Sequence, residues 1–136
     1  MPIAAGINHI ATLTPSLERH FAFYEAVFEA VKTFEVEKAD DHPRMWIYDL
    51  GGGSALNVFE AEPDSIVGDR RQAGGRGPID HFGIEVPSRA VLDEVKDRLV
   101  AQGVDIGEIQ DLGGGWSLFF RDVDGMELEV TAPIEG

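Results

Sequence analysis

Ile79-Asp80-His81-Phe82-Gly83-Ile84-Glu85-Val86 is the stretch that decides the fold. Phe82, Ile84 and Val86 alternate with His81, Gly83 and Glu85, and alternation at period two marks a β-strand with one face packed. The packed face is apolar. The other carries an imidazole, a bare backbone position and a carboxylate, a set suited to a face that opens onto a pocket. A second stretch, Ile7-Asn8-His9-Ile10-Ala11-Thr12-Leu13, has the same outline, with His9 where His81 stands, at a separation of 81 − 9 = 72 residues.

The same offset holds further along the chain. Ser16 falls on Ser88, each a candidate N-cap ahead of a helical stretch. Gly53 falls on Gly125, Leu56 on Leu128, Asn57 on Glu129 and Val58 on Val130, in a turn followed by a short alternating strand. Strand, cap, turn and strand in one order at one spacing predict a duplicated β-α-β-β-β unit. In the first copy strands are expected at residues 6–13, 32–36, 44–50 and 55–60. Its helix is expected from Pro15 and Ser16 to about Val31, with Leu17, Phe21, Tyr24, Phe28 and Val31 as the buried stripe. In the second copy strands are expected at residues 79–86, 105–110, 116–121 and 126–131. Its helix opens at Pro87-Ser88 and stops at Gly103, with Val91, Leu92, Val95, Leu99 and Val100 as the stripe. Residues 61–78, rich in Gly, Asp and Arg and including Arg70-Arg71 and Gly74-Gly75-Arg76-Gly77, read as a mobile linker. No strand-to-helix transition encloses those glycines, which argues against a phosphate cradle.

A chain of 136 residues with 43% hydrophobic and 26% charged residues has the composition of an ordinary soluble domain. No apolar run approaches the roughly 18 to 20 residues that cross a bilayer. The first residues, Met1-Pro2-Ile3-Ala4-Ala5-Gly6, lack the basic and apolar regions of a signal peptide. With no cysteine there are no disulfides, thiolate metal sites or cysteine nucleophile, and a cytoplasmic location is expected. The net charge of −14 opposes binding to nucleic acid or to an anionic membrane surface. It is compatible with a groove that attracts cations, metal ions included.

Strand parity places Leu56, Val58, Leu128 and Val130 on packing faces, and His9, Asn57, His81 and Glu129 on the opposite ones. A histidine on a strand is more often structural than a ligand, and a lone glutamate is ordinarily a solvated charge. Two histidines at repeat-equivalent positions change that balance. Two imidazoles and a carboxylate are the ingredients of a divalent metal site with open positions, suited to Fe²⁺, Mn²⁺, Zn²⁺, Ni²⁺ or Co²⁺. Glu127 and Glu85, on the faces of Glu129 and His81, are candidate bases. By parity Asn57, Ile47, Phe59, Phe119 and Trp116 are candidates for a substrate wall. His20, on a helix, and His42, in an acidic loop, read as surface residues.

These motifs, namely Gly6-Ile7-Asn8-His9-Ile10, Phe23-Tyr24, Ile79-Asp80-His81-Phe82-Gly83-Ile84 and Arg121-Asp122-Val123-Asp124-Gly125-Met126-Glu127-Leu128-Glu129, resemble the vicinal oxygen chelate superfamily. This is the glyoxalase, bleomycin-resistance and extradiol-dioxygenase group. In the last motif Val123 stands where the family usually has proline. The resemblance implies an α+β fold in which two tandem βαβββ modules form a cupped mixed sheet with helices on the outer face. It implies a single glyoxalase-like domain over residues 1–136, with module one at 1–60, the linker at 61–78 and module two at 79–136. It makes His9, His81 and Glu129 metal ligands and leaves Asn57 at the family's fourth position, where glyoxalase I and methylmalonyl-CoA epimerase have Glu or Gln. Asn is shorter and uncharged, which argues against glyoxalase I chemistry. Extradiol dioxygenases usually carry a tyrosine ten residues before the glutamate ligand, and here that residue is Phe119. Fosfomycin-resistance transferases place threonine two residues after the first histidine, and here it is Ala11. The resemblance therefore implies a metal-dependent lyase or isomerase acting on a small substrate with adjacent oxygens. The alternatives are an extradiol-type dioxygenase or a bleomycin-resistance-like binding protein without turnover. It also implies a homodimer, in some relatives with the modules of one site drawn from different chains.

Overall fold

The computed structural model describes residues 1–68 and 75–134. The chain divides into two compact units, Met1–Val67 and Gly68–Gly136, each built on a βαβββ frame.

The first unit contains β1 (His9–Thr14), α1 (Leu17–Phe28), β2 (Val31–Val36), β3 (Met45–Gly51) and β4 (Ser54–Glu60). Its sheet runs β1-β4-β3-β2, with β1 parallel to β4 and the remaining pairs antiparallel. After the short 3₁₀ turn Pro63–Ser65, the second unit contains β5 (Phe82–Glu85), α2 (Arg89–Gln102), β6 (Gln110–Asp111), β7 (Trp116–Arg121) and β8 (Glu127–Ala132). Its sheet runs β5-β8-β7-β6. The first and last strands of each unit lie side by side and parallel. Only a long crossover can join parallel neighbours, and here the helix and the outer hairpin supply it.

The repeat holds to the residue through the inner strands. Ala11 lies opposite Asn57 and Asn57 opposite Ile47. Adding 72 gives Gly83 opposite Glu129 and Glu129 opposite Phe119, which is the observed pairing. Both helices begin on the expected serine. Ser16 Oγ accepts from the Arg19 N–H at 3.3 Å and Ser88 Oγ from the Val91 N–H at 3.2 Å. The copies part at the helix ends. α1 has 12 residues and α2 has 14, so the left-handed C-caps, Glu29 and Gly103, stand 103 − 29 = 74 apart. The outer strand carries this extra pair of residues: Val36 faces Met45, whereas Gln110 faces Ser117, so the offset is 74 on one strand and 72 on the other. A hairpin connection shorter by two residues restores the register.

Several expectations change. The first strand begins at His9 and not at residue 6, and β5 begins at Phe82, so His81 sits on the approach to its strand. The strand expected over residues 105–110 is reduced to Gln110–Asp111 and an isolated bridge from Ile106 to Phe120. α1 ends at Phe28, because Glu29 takes a left-handed conformation at φ 56° and turns the chain out of the helix. Val31 therefore opens β2 and is 58% exposed. The buried stripe of α1 is Leu17, His20, Phe23, Tyr24 and Val27, rotated from the expected one toward His20. His20 is only 1% exposed, and its Nδ1 lies 3.1 Å from the Tyr48 hydroxyl. A histidine can occupy an apolar stripe when a buried hydroxyl satisfies its ring nitrogen. On α2, Leu92, Val95 and Leu99 are buried, while Val100 is exposed. Arg70, Arg71 and Gly74 lie outside the described residues. Among those residues no helix is long and apolar enough to cross a membrane.

The packing faces close on the helices through Tyr48, Leu56 and Val58 in one unit and Leu118, Phe120, Leu128 and Val130 in the other, all buried. The entry of α1 is fastened by charge. Glu60 Oε2 accepts from the Leu17 N–H at 3.1 Å and from Arg44 Nη2 at 2.8 Å, while the same nitrogen reaches Glu18 Oε1 at 2.6 Å. Arg44, followed by the backbone donor at Leu17, holds the Glu60 carboxyl below its ordinary range, against the opposing effect of burial. A depressed carboxyl stabilises the folded state above its unfolded pKa, and that contribution is lost as pH falls through the folded value. Glu60→Gln is expected to cost about 1 kcal/mol at neutral pH. Denaturant unfolding at pH 7 and pH 3 checks this. The difference from wild type should shrink at the lower pH; an equal difference at both would show that the charge is not responsible.

Candidate metal centre

The open face of each sheet follows from its parity. On β1, His9, Ala11 and Leu13 are exposed while Thr14 on the other face is buried. On β4, Ala55, Asn57 and Phe59 are half-buried beside the buried Leu56 and Val58. On β8, Glu127, Glu129 and Thr131 are half-buried beside the buried Leu128, Val130 and Ala132. Ile47 pairs with Asn57 and Phe119 with Glu129, so both share the open faces. Trp116 has the parity of the core residues Leu118 and Phe120, which corrects its placement by parity. It nevertheless lines a cleft, and its indole lies 4.5 Å from the Arg89 guanidinium.

In the second unit, two of the expected ligands meet. His81 Nε2 lies 3.4 Å from Glu129 Oε1. The other atom of each group is already engaged: His81 Nδ1 lies 2.8 Å from Asp80 Oδ2, and the Ser117 hydroxyl donates to Glu129 Oε2 at 2.5 Å. A carboxylate only accepts, so its partner Nδ1 bears the proton, leaving Nε2 and Oε1 as the atoms turned toward each other. The Phe119 ring stands edge-on to the imidazole at 5.2 Å. Gly83, directly opposite Glu129, puts no side chain between His81 and Glu85 on that face.

In the first unit His9 has an equivalent arrangement. Its Nδ1 lies 2.6 Å from Asn8 Oδ1, and its Nε2 is left without that partner. Asn8 and Asp80 are 80 − 8 = 72 residues apart, so each module orients its histidine with the side chain just before it. This pair, together with Ser117, was not singled out from sequence. The signal was present in the repeated Asn-His and Asp-His dipeptides.

Two donors about 2.1 Å from one ion stand about 3.0 Å apart at a right angle and about 3.4 Å apart at the tetrahedral angle. The His81–Glu129 separation fits two ligands of a single ion. Within either unit taken by itself, and among the described residues, no set of three His, Asp or Glu side chains gathers that could hold a metal.

Beside the pair, a cleft of about 410 Å³ is lined by Glu85, Ser117, Glu129, Thr131 and Trp116, with residues 112–115 forming one wall. Among the described residues its lining holds two carboxylates and no cationic side chain. Glu85 is exposed there, whereas Glu127 Oε2 is held by Arg76 and Arg121, each at 3.3 Å.

This doubled βαβββ architecture is that of the vicinal oxygen chelate proteins. The chain belongs to the Glyoxalase/Bleomycin resistance protein/Dioxygenase superfamily, whose model matches residues 6–130. MhqA of Bacillus subtilis (strain 168), whose name carries a provisional ring-cleaving dioxygenase assignment, is 29% identical over 96% of this chain, which spans 41% of that protein's length. Among solved structures, a glyoxylase/bleomycin resistance protein/dioxygenase domain from Frankia sp. EAN1pec superposes with a TM-score of 0.83 at 23% identity, covering 97% of this chain and all of that one. A mutant of the fosfomycin resistance protein FosX from Listeria monocytogenes, complexed with Mn(II) and 1S,2S-dihydroxypropylphosphonic acid, superposes with a TM-score of 0.74 at 19% identity, covering 97% of this chain and 95% of that one. At such identities the two structures share the fold.

The Asp80 carboxylate, followed by Glu129, raises the pKa of His81 against the opposing effect of burial. A raised histidine favours the folded state in full below the ordinary value of about 6.5, and the contribution is lost as pH rises through the folded value. In metal-free protein, Glu129→Gln should lower the His81 pKa, read from its ring proton by NMR titration. An unchanged value would mean that the two groups do not interact in solution.

Proposed function

We propose that this chain is a divalent-metal-dependent enzyme acting on a small substrate with adjacent oxygen atoms, and that His9, His81 and Glu129 hold the ion. The observation that carries this reading is the His81–Glu129 pair, two donor atoms 3.4 Å apart beside a cleft. Mn(II) in the FosX complex supports a divalent ion of this kind. Fe²⁺, Zn²⁺, Ni²⁺ and Co²⁺ suit the same donors.

When bound, the ion supplies Lewis acidity toward neighbouring substrate oxygens. The chain supplies the rest. Asp80 keeps the proton of His81 on Nδ1, so Nε2 is available as a donor. Ser117 occupies Glu129 Oε2 and leaves Oε1 free. Glu85 takes up and returns a proton at a substrate carbon next to a carbonyl, as an exposed carboxylate in the same cleft. Glu127, tied to two arginines, is the weaker of the two candidate bases. Phe119 and Trp116 form the wall of the second module, and Asn57, Ile47 and Phe59 that of the first. Asn57 acts as a hydrogen-bonding amide and not as a charged ligand. Each module taken alone gathers fewer than three donors among the described residues, and a homodimer is part of this proposal. A cysteine-free chain of this kind suits the cytoplasm.

Proton transfer by a lyase or isomerase is the first reading, carried by Glu85. The likeness to MhqA favours a second, ring cleavage of an aromatic diol by O₂. Oxygen uptake with aromatic diols and Fe²⁺ supports the second; exchange of a substrate carbon-bound proton with solvent deuterium supports the first.

Protein purified without chelator should contain a first-row divalent metal, and His81→Ala or Glu129→Ala should weaken its binding at least tenfold, by loss of one of the few protein donors. Elemental analysis with metal titration checks this. Affinity unchanged in both variants, or a metal-free cleft that binds a cationic aromatic drug without turnover, would instead identify a sequestering protein.

A further inference from the structure

We propose that Arg76 is a positioning residue for the metal centre: it fixes the Asp80 carboxylate, which in turn fixes the His81 ring. The inference rests on the reading of His81 as a ligand and extends it to a residue on the segment that enters the second module.

The geometry forms a continuous chain. The Arg76 side chain is 8% exposed, and its Nη1 lies 2.8 Å from Asp80 Oδ1. That contact is an ion pair lying off the hydrogen-bonding direction; the same nitrogen donates to the Asp80 carbonyl at 3.3 Å. Nη2 lies 3.3 Å from Glu127 Oε2. Asp80 thus divides its oxygens, Oδ1 to the guanidinium and Oδ2 to His81 Nδ1. Beyond the ring the chain continues through Glu129 to Ser117.

A buried guanidinium persists only where carboxylates and carbonyls satisfy it, and here it holds two carboxylates and a carbonyl at once. The side chain of Asp80 is 46% exposed, so without Arg76 it is free to turn to water and release Nδ1. The first module gives an internal comparison. There the equivalent of Asp80 is Asn8, and the position equivalent to Arg76 is 76 − 72 = 4, which is Ala4. The neutral amide needs no counter-charge, and Ala4 carries none; the carboxylate has an arginine. The two positions differ together between the copies, as expected if Arg76 exists to hold Asp80.

The test uses the full chain with Arg76→Ala, Arg76→Lys and Asp80→Ala, and Arg121→Lys as a control that perturbs Glu127 without touching Asp80. Two quantities are read: Mn²⁺ affinity by calorimetry, and the tautomer of His81 in metal-free protein by ¹⁵N NMR. Outer partners of a metal-bound histidine typically change affinity by about 10- to 100-fold. Arg76→Ala and Asp80→Ala should weaken Mn²⁺ binding by roughly tenfold or more, and move the His81 proton from Nδ1 toward a mixture with Nε2. Arg76→Lys, which cannot span the same partners, should show a smaller loss in the same direction; it also carries the test if Arg76→Ala does not fold. Arg121→Lys should leave both readouts at wild-type values. Wild-type affinity and an unmoved tautomer in folded Arg76 variants would overturn the proposal, as would an equal effect of Arg121→Lys. A wild type that binds no Mn²⁺ would instead remove the metal reading, while the tautomer shift still decides the role of Arg76.

Discussion

The parallel pairing of the first and last strands in each module is the constraint on which the rest depends. Parallel neighbours need a crossover, and the helix and hairpin between them provide it. Side chains alternate along a strand, so the register that sets Gly83 against Glu129 also brings His81 and the carboxylate to one face, with Leu128 and Val130 committed to the core. A slip of one residue would exchange those roles. The apolar packing thereby fixes where the polar donors point.

Most of this frame was legible in the chain. The offset of 72 residues survives as an equality of strand register, and both serine caps make the expected bonds. What failed was local. The left-handed turn at Glu29 ends α1 early, where a glycine would have announced it. The two extra residues of α2 displace β6, and no periodicity in residues 105–110 reveals that. His20 was misjudged because its polarity suggested the surface, whereas Tyr48, 28 residues away, satisfies it inside. Such long-range pairing is invisible to a helix pattern.

The site was legible in a similar way. Parity put His81 and Glu129 on one face, where they meet, because strand geometry makes it reliable, and it failed for Trp116 at a strand end, where the wall of a cleft depends on the neighbouring loop. The neighbours of these side chains escaped notice. Asn8, Asp80, Ser117 and Arg76 make contacts of 2.5 to 3.3 Å that composition does not encode. Their arrangement makes chemical sense: in each module a preceding side chain takes up Nδ1, which turns an ordinary histidine into one with a single available donor atom.

The proposal to be tested is that His9, His81 and Glu129 hold one ion. Counting coordinated nitrogens tests it most directly. Electron spin echo measurements on the Mn²⁺-loaded protein should show couplings to two histidine nitrogens, falling to one in His9→Ala and to one in His81→Ala. Couplings unchanged by His9→Ala would contradict the account and leave the second module with a centre of its own.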